Sequence, residues 1–212
     1  MSIQRDLNGL SFFDTDHNAL AVINNIDNYS EIYTQLESLS QLSSSVEIVI
    51  TTDNFITVPS SLYSKRSEEV FFAAKSLPYS LDKFKYLKFR VKEDVTTIAV
   101  IENSIFNCID ELFENINFTH SVNETILNSL RDSANTISIY ESHSRVAISL
   151  SIEGKLIFSE QLPLTNRADL VYYITKLTKD NQLSEYKILC SGLKQKLTAQ
   201  TLSNYFNNIF FI

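Results

Sequence analysis

The sequence predicts an α/β fold built from two copies of one βα unit. Residues 10–23 and residues 137–150 align without a gap, and each segment contains a hydrophobic strand, an acidic residue, a short polar link and a second hydrophobic strand. The acidic residue is Asp14 in the first copy and Glu141 in the second. In each copy, a segment with the helical period of 3.6 residues and another hydrophobic strand follow the hairpin. This internal repeat indicates that a structural unit was duplicated, but it does not indicate an activity.

In the first copy, local signals predict the elements that follow the hairpin. Ser30 is a suitable N-cap for a helix whose apolar residues recur at the helical period, and residues 46–50 form the next strand. Residues 55–59 form a further strand, and their terminal proline suits the first position of a short helix. Before residue 95 we expect a short helix over 68–75 and a strand of alternating lysine and aromatic residues that ends near Val91.

The middle of the chain has the pattern strand, helix, strand, helix. The two strands cover residues 97–101 and 117–119, and the helix between them covers residues 104–114 with isoleucine and leucine on one face. Ser121 and Glu124 have the spacing of a capping box, which indicates that the second helix begins at this point.

The second copy is longer than the first between its hairpin and its post-helix strand, and the additional residues are enough for one extra strand. The patterns predict strands over 146–152, 156–162, 186–190 and 209–212, a turn at 153–154, and helices around 170–177 and 202–206. We therefore expect two halves, residues 1–133 and residues 134–212. The first half includes a small subdomain at about 55–95.

Composition and charge limit the classes of protein that this chain can represent. With 212 residues, 44% of them hydrophobic, the chain is long enough to bury a core. Its net charge of −7 argues against a nucleic-acid partner, because phosphate backbones bind basic surfaces. The densest basic stretch, residues 83–92, alternates cations with aromatic residues. Nucleic acid could bind to such a stretch, but the pattern is also typical of a strand with one solvated face.

The sequence has no signature of a membrane span or of a secretion signal. No apolar run approaches the roughly 18 to 20 residues that a bilayer requires, and the N-terminal residues lack a signal-peptide core, so we expect a cytoplasmic protein. Cys108 lies in an apolar helix and Cys190 in an apolar strand, and neither has cysteine or histidine at ligand spacing. We expect two buried free thiols, with neither a disulfide nor a metal site.

Several segments resemble the actin-like ATPase superfamily, which includes actin, the Hsp70 chaperones, sugar kinases and the pilus-assembly protein PilM. The resemblance lies in residues 55–59, residues 97–130 and the adenosine-motif strand at residues 188–192. Over nearly its full length the chain is also similar to an uncharacterised bacterial family, domain of unknown function 3822. The matching segments are 2–3, 9–12, 58–62, 118–121, 169–173 and 189–192. The resemblance implies an actin-like ATPase fold of duplicated ribonuclease H-like halves.

The resemblance also implies where a nucleotide would bind. In active members of the superfamily each hairpin turn reads roughly Asp-x-Gly, because glycine lets the backbone approach a phosphate and the aspartate holds Mg²⁺ or orients the attacking water. Here the turns read Asp-Thr-Asp and Glu-Ser-His, and the adenosine motif keeps one glycine. The implied vestigial nucleotide site consists of Asp14, Asp16, Glu141, His143, Ser191 and Gly192.

Two functional hypotheses follow, and self-assembly into filaments, as in actin, is a third possibility. The first is a non-catalytic interaction or adaptor module with an unidentified protein partner, by analogy with PilM, and with no metal or cofactor. A candidate contact surface lies in the region 55–91, although a second small core would use the same aromatic residues: Tyr63, Phe71, Phe72, Tyr79, Tyr86 and Phe89. The second hypothesis is an ATPase or small-molecule kinase that binds ATP and Mg²⁺ through Asp14 and Glu141. The sequence contains no G-x-S-x-G elbow and no pair of histidines at metal-ligand spacing.

Overall fold

A computed structural model describes most of the chain. The described residues are 7–13, 19–23, 29–64, 68–75, 80, 82–91, 95–142, 144–180, 186–192 and 194–212. They form two compact units that meet between His120 and Ser121. The boundary expected from the sequence, at residue 133, lies after the helix that follows this junction.

In its described residues, the first unit contains two sheets and three helices. Its elements are β1 (Leu7–Phe13), β2 (Ala19–Ile23), α1 (Tyr29–Ser40), β3 (Ser45–Thr52), β4 (Phe55–Pro59), α2 (Glu68–Ala74), β5 (Phe84–Val91), β6 (Val95–Glu102), α3 (Asn103–Leu112) and β7 (Asn115–His120). The larger sheet has the strand order β2-β1-β3-β7, and the smaller sheet has the order β4-β6-β5. These elements confirm the predicted hairpin, the two strands that follow it and the strand, helix, strand pattern of the middle section.

The helical period of α1 correctly predicted its buried face. Ile32, Leu36 and Leu39 are buried in one cluster with Phe12 of β1 and Ile109 of α3. Burial of each such side chain stabilises the fold by roughly 1.5 to 3 kcal/mol. The helix begins at Tyr29, so Ser30, expected as its N-cap, lies within the first turn.

The small sheet has its own core, and this core contains four of the six aromatic residues named above for the region 55–91. Phe72 of α2 is fully buried, and its ring centroid lies 4.9 Å from that of Tyr86. Tyr63 and Phe71 pack against the same cluster, and Phe89 is buried. Tyr79 lies outside the described residues. The alternative of a second small core is therefore confirmed for the described residues of this set, which are buried or partly buried.

Two local predictions in this subdomain have different outcomes. The basic stretch forms a strand, β5, as predicted, but its exposed Lys85 and Lys88 are three residues apart and lie on opposite faces, so they do not form one solvated face. The short helix expected at Pro59 is instead a turn: Pro59 ends β4, and the Leu62 N–H donates to the Pro59 carbonyl at 2.9 Å. A proline that would suit the start of a helix therefore ends a strand at this position.

The second unit is a five-stranded sheet with helices on both faces. Its elements are α4 (Ser121–Ser129), β8 (Thr136–Glu141), β9 (Arg145–Ile152), β10 (Lys155–Pro163), α5 (Arg167–Asp180), β11 (Lys187–Ser191), α6 (Gln195–Leu202) and β12 (Ile209–Phe211), and the strand order is β10-β9-β8-β11-β12. The predicted strands and α5 are confirmed. The last helix ends at Leu202, before the predicted Tyr205 and Phe206, and Tyr205 is exposed.

The two faces of this sheet differ in chemistry. On one face, Leu170 of α5 and Leu202 of α6 pack in an apolar cluster with Ile148 of β9. On the other face, α4 lies against small hydroxyl side chains, and the Thr125 Oγ1 lies 2.7 Å from the Ser149 Oγ. Since successive residues of a strand point to opposite faces, Ile148 and Ser149 follow this division. The Ser121 hydroxyl, expected to cap α4, donates to Gln161 Oε1 at 3.0 Å.

The two larger sheets differ by one strand, as the longer second copy predicted. The difference has a consequence for strand direction. β1 is antiparallel to β3, with Leu10 opposite Ile50 and Phe13 opposite Glu47. By contrast, β8 is parallel to β11, with Tyr140 opposite Ser191.

The number of strands before the crossover helix explains the reversal of β1. In each unit a helix connects a strand to a parallel strand of the same sheet, so the strand before the helix must have the direction of the strand after it. In the second unit, three antiparallel strands precede α5, and the first of them, β8, shares the direction of β11. In the first unit, two strands precede α1 among the residues that the structure describes, and β1 runs opposite to β3. β1 therefore ends beside the beginning of β3, whereas β8 ends beside the end of β11.

Candidate functional site: a buried carboxylate in the second unit

The candidate site is centred on Glu141, the last residue of β8. Its side chain is 1% exposed, although it carries a carboxylate. β8 and β11 are parallel neighbours, so Glu141 lies at the same sheet edge as Ser191 and Gly192. The structure thus brings three of the six expected site residues together at the carboxyl ends of two parallel strands, which is the edge where open α/β sheets bind ligands.

Three side chains from the two following helices surround the carboxylate. Arg167, the first residue of α5, forms an ion pair and a hydrogen bond with Oε2 through Nη1. The Thr198 hydroxyl of α6 donates to the same oxygen at 2.5 Å. The Lys194 ammonium, just before α6, lies 3.8 Å from Oε1. Oε1 itself is buried and has no hydrogen bond.

This arrangement accounts for a charge at a buried position. An isolated ionised carboxylate is costly to bury, and it is normally paired or bound to a metal. Here the pairing comes from the chain itself, with two cations for one acid, and both cations are partly exposed. The long side chains of Arg167 and Lys194 therefore keep their charged ends near solvent while they stabilise the buried acid.

Gly192 and Ser191 have structural roles at this edge. Gly192 has a φ of +84°, and a Cβ on it would lie 3.2 Å from the Glu141 carbonyl oxygen and from the Tyr140 ring. The position therefore favours glycine for both backbone and steric reasons. The Ser191 hydroxyl donates to the Ile139 carbonyl at 3.0 Å, so its proton is directed into the sheet.

Cys190, next to this edge in β11, is fully buried as expected. Burial, with a smaller contribution from the negative charge of Glu141, raises the pKa of its thiol to about 12. Since the thiolate is the nucleophilic form, Cys190 is not a nucleophile at neutral pH. Cys108 is also a buried free thiol.

The other three expected site residues follow β1 and β8 in the sequence. Asp14, Asp16 and His143 lie outside the described residues. The strand before Asp14 ends at Phe13, opposite Glu47 near the start of β3. The strand before Glu141 ends opposite the end of β11. Asp14 thus follows a strand that ends beside the start of β3, whereas Glu141 belongs to a strand that ends beside the end of β11. An alignment of the two copies in sequence does not indicate this difference.

His120 forms a second buried polar site, at the end of β7 in the first unit. Its side chain is fully buried, with Nε2 3.3 Å from the Thr52 carbonyl oxygen and its ring 4.6 Å from that of Phe55. A carbonyl can only accept, so Nε2 carries the proton and donates. Burial lowers the pKa of His120 to about 4, although the bond to Thr52 opposes this change. His120 is therefore neutral at pH 7.

Sequence reasoning missed three residues of the Glu141 site, namely Arg167, Lys194 and Thr198. Each is an ordinary first-turn or pre-helix residue, and at least two strands separate it from Glu141 in the chain. The available signal was indirect: an acid that directly follows four buried strand residues needs a partner, and cations at the starts of the two later helices are within reach.

Within the described ranges, no helix has both the length and the hydropathy to cross a membrane. The same residues contain no group of three or more His, Cys, Asp or Glu arranged to hold a metal ion.

Solved structures of low sequence identity share the fold of this chain. A protein of unknown function with an actin-like ATPase fold from Bacteroides thetaiotaomicron matches with a TM-score of 0.65 and 14% identity, covering 97% of this chain and 87% of that chain. PilM of the PilM–PilN type IV pilus biogenesis complex matches with a TM-score of 0.50 and 8% identity, covering 98% and 86%. The cytoplasmic domain of EpsL, from the type II secretion system of Vibrio cholerae, has a TM-score of 0.48 and 10% identity, covering 97% and 93%.

These similarities, together with the duplicated hairpin, helix and strand units, define a protein with the actin-like ATPase fold. No curated protein matches the chain in sequence. The chain belongs to the family described as protein of unknown function (DUF3822), whose sequence profile matches residues 1–209.

Proposed function

We propose that this protein is a non-catalytic interaction or adaptor module with a degenerate nucleotide site. The observation that carries the proposal is the state of Glu141, whose carboxylate is paired with Arg167, Thr198 and Lys194 of the same chain. In a nucleotide-hydrolysing member of this fold, an acid at this turn would be available to Mg²⁺ or to the attacking water. Here the chain's own cations fill that role.

Electrostatics favours the pairing of Glu141 with Arg167 and Lys194 over the binding of Mg²⁺ to Glu141. Two unit charges about 4 Å apart near a protein surface attract by about 4 kcal/mol, and Mg²⁺ must in addition release tightly held water. A bound Mg²⁺ would also place its charge beside Arg167 and Lys194. The absence of glycine from both hairpin turns also supports a degenerate nucleotide site. The glycine that is retained, Gly192, has a structural reason of its own, because a Cβ there would lie against Tyr140.

A protein partner is supported by analogy. PilM, which shares the fold, is found in a solved complex with PilN. We propose a protein partner for this chain as well, and a cytoplasmic location. The acidic net charge of −7 makes a basic partner segment the favoured one, because complementary charge accelerates and orients association.

A second candidate function is an ATP-binding ATPase or small-molecule kinase that uses Asp14 and Glu141. One observation favours it: Arg167 and Lys194 are partly exposed cations beside a glycine in left-handed conformation, a combination that suits a phosphate. In this reading, the two cations would leave Glu141 when a nucleotide binds.

Thermal unfolding of the full chain with and without millimolar Mg-ATP separates the two functions. A ligand at 100 times its dissociation constant stabilises by about 2.7 kcal/mol, which raises the midpoint by several degrees. The adaptor proposal predicts no such shift. The enzyme hypothesis predicts an upward shift of the midpoint. Asp14→Ala should abolish this shift, whereas Glu111→Ala, at an exposed acid of α3, should retain it.

The partner is tested with affinity-tagged chain. We expect a stoichiometric protein partner whose retention is the same in the presence and in the absence of Mg-ATP. Retention that requires Mg-ATP would contradict the degenerate site, and a thermal shift with no partner would favour the enzyme.

A further inference from the structure

The strand β5 forms one edge of the small sheet and contains several cations but no acid. Its cations are Lys85, Lys88 and Arg90, and their side chains are exposed. The strand order β4-β6-β5 places β5 beside β6, and in the part of the chain that the structure describes no strand pairs with its other side. An edge strand offers backbone donors and acceptors to another strand that can approach.

The pairing with β6 shows which backbone groups of β5 are directed outward. The Asn103 N–H donates to the Lys83 carbonyl at 2.9 Å, so the backbone of Lys83 is directed towards β6. The antiparallel register then continues along the whole of β5. Because the backbone groups of alternate residues point to opposite sides of a strand, those of Tyr86, Lys88 and Arg90 point away from β6.

The start of this edge differs from the rest. The Phe84 N–H donates to the Ser80 carbonyl at 2.9 Å, so the preceding turn covers the first outward position. Two acids, Asp82 and Glu102, lie at the same end of the strand, where Glu102 is opposite Phe84. The outward groups of residues 86–90 therefore lie in the basic part of the strand.

The cations lie on both faces of the sheet along this edge. Since successive residues of a strand point to opposite faces, Lys85 lies on one face and Lys88 and Arg90 lie on the other. The Lys85 ammonium lies 4.7 Å from the centre of the Phe106 ring, and the Lys88 ammonium lies 5.4 Å from that of Tyr63. These cation–π contacts hold positive charge on either side of the edge.

The other edge strands in the described ranges do not have this charge. β2, β4, β7 and β12 contain no Lys, Arg, Asp or Glu, and β10 contains one lysine and one glutamate. Among these edges, β5 is therefore the one whose charge selects the chemistry of an added strand.

We propose that the β5 edge binds an acidic segment of another protein in extended conformation, which joins the small sheet as an additional strand. The backbone of the segment pairs with the outward groups of β5, and its carboxylates lie beside Lys85 and Arg90. Opposite charges on neighbouring strands stabilise a sheet. This contact is additional to the basic partner segment proposed above, because it takes the opposite charge.

Charge and backbone geometry together select this occupant. A second copy of β5 would place cations opposite cations, which destabilises a sheet and is the usual reason for lysines at an edge. A nucleic acid would match the local charge, but it has no peptide groups to continue the ladder of backbone hydrogen bonds, and the chain as a whole has a net charge of −7. An acidic strand meets both conditions.

Fluorescence anisotropy of a labelled peptide, titrated with the full chain at low salt, tests the proposal. The probe is a short capped peptide of alternating glutamate and valine. We expect saturable binding that weakens as salt is added, because salt screens exposed charges, and no binding of a lysine–valine peptide. An N-methylated glutamate–valine peptide keeps its charge but cannot donate backbone hydrogen bonds, so its dissociation constant should be about tenfold higher or more.

Arg90→Glu reverses one charge at the edge and should raise the dissociation constant of the acidic peptide by roughly three- to tenfold. Arg90→Gln should have a smaller effect in the same direction. Lys155→Glu is the matched control, since Lys155 is an exposed cation of β10, an edge strand of the other unit, and its reversal should leave the dissociation constant unchanged. Unfolding midpoints of the variants confirm that they are folded.

Four results would overturn the proposal. The first is the absence of peptide binding. The second is equal binding of the N-methylated peptide, which would show attraction by charge alone. The third is tighter binding of a single-stranded oligonucleotide than of the acidic peptide, which would show a nucleic-acid surface. The fourth is equal weakening by Lys155→Glu and Arg90→Glu.

Discussion

The Glu141 carboxylate and the Arg167 guanidinium form an ion pair in which the acid is completely enclosed and the base reaches solvent. Glu141 is the last residue of β8 and Arg167 the first residue of α5. With Thr198 of α6, the pair connects the central strand of the second sheet to the two helices on one of its faces. Glu141 thus lies at a junction between three structural elements.

This junction should be required for stability. Glu141→Gln keeps the shape of the side chain but leaves Arg167 and Lys194 without their shared acid. Breaking a buried pair costs about 3 to 5 kcal/mol, and the solvent exposure of both cations reduces the expected loss to about 1 to 3 kcal/mol. Urea unfolding measures the loss. Glu160→Gln, an exposed acid of β10, should change stability by less than about 0.5 kcal/mol. Equal stability of the two variants would show that the pair is not structural.

Gly192 should tolerate alanine less well than Gly154. Both have positive φ, +84° for Gly192 and +73° for Gly154, so alanine has a backbone cost of about 1 to 2 kcal/mol at either position. At Gly192 the new Cβ would also lie 3.2 Å from backbone and ring atoms, whereas at Gly154 its nearest neighbours are at 3.8 Å. We expect Gly192→Ala to lose more stability in chemical denaturation. The opposite order would mean that the β11–α6 turn relaxes freely.

His120 should make the first unit sensitive to acid. Its pKa is about 4 in the folded chain, below the usual value of 6.5, so between these values the unfolded chain binds more protons than the folded chain. Stability therefore falls as the pH is lowered through this range. The difference between 6.5 and about 4 corresponds to about 3 kcal/mol.

The measurement is the stability of the wild type minus that of His120→Gln, followed from pH 7 to pH 4. The glutamine amide can still donate to Thr52 but does not titrate, so carboxylates that titrate in both chains cancel. We expect the wild type to lose stability relative to the variant at low pH. Parallel curves would show that His120 titrates normally. The NMR resonance of its ring provides a direct check.

Both cysteines should resist alkylation while the protein is folded. Cys108 and Cys190 are buried, and the pKa of Cys190 is raised to about 12, so little thiolate forms and reagents have little access. We expect iodoacetamide at pH 8 to label neither residue in the native chain and both in denaturant. Rapid labelling of native Cys190, detected by peptide mass spectrometry, would mean that the β11 edge opens readily.

Local patterns were sufficient to predict most elements but not their partners. The spacing of Ile32, Leu36 and Leu39 fixed the buried face of α1, because the helical period depends only on neighbouring residues. The partners of Glu141 follow 26 and 57 positions later in the chain, for Arg167 and Thr198 respectively. No local period indicates such contacts, and here they follow from the crossover connections of the sheet.

The direction of β1 was beyond local reasoning for a related reason. The residues of the hairpin predict two strands and a turn, and both strands are present. Which of its strands lies beside β3 depends on the number of strands that precede the crossover helix, a property of the whole unit. The longer second copy predicted the extra strand, whereas the direction of β1 follows only from the connections of the complete unit.

The reversed first strand also affects how the two halves of this protein should be superposed. When β3 and β7 are placed on β11 and β12, β1 takes the position of β8 but has the direction of β9, and β2 takes the position of β9 but has the direction of β10. The repeat in the amino-acid sequence and the repeat in three dimensions are therefore out of phase by one strand. A structure-guided alignment of the halves must include this offset before residues of one hairpin are equated with residues of the other.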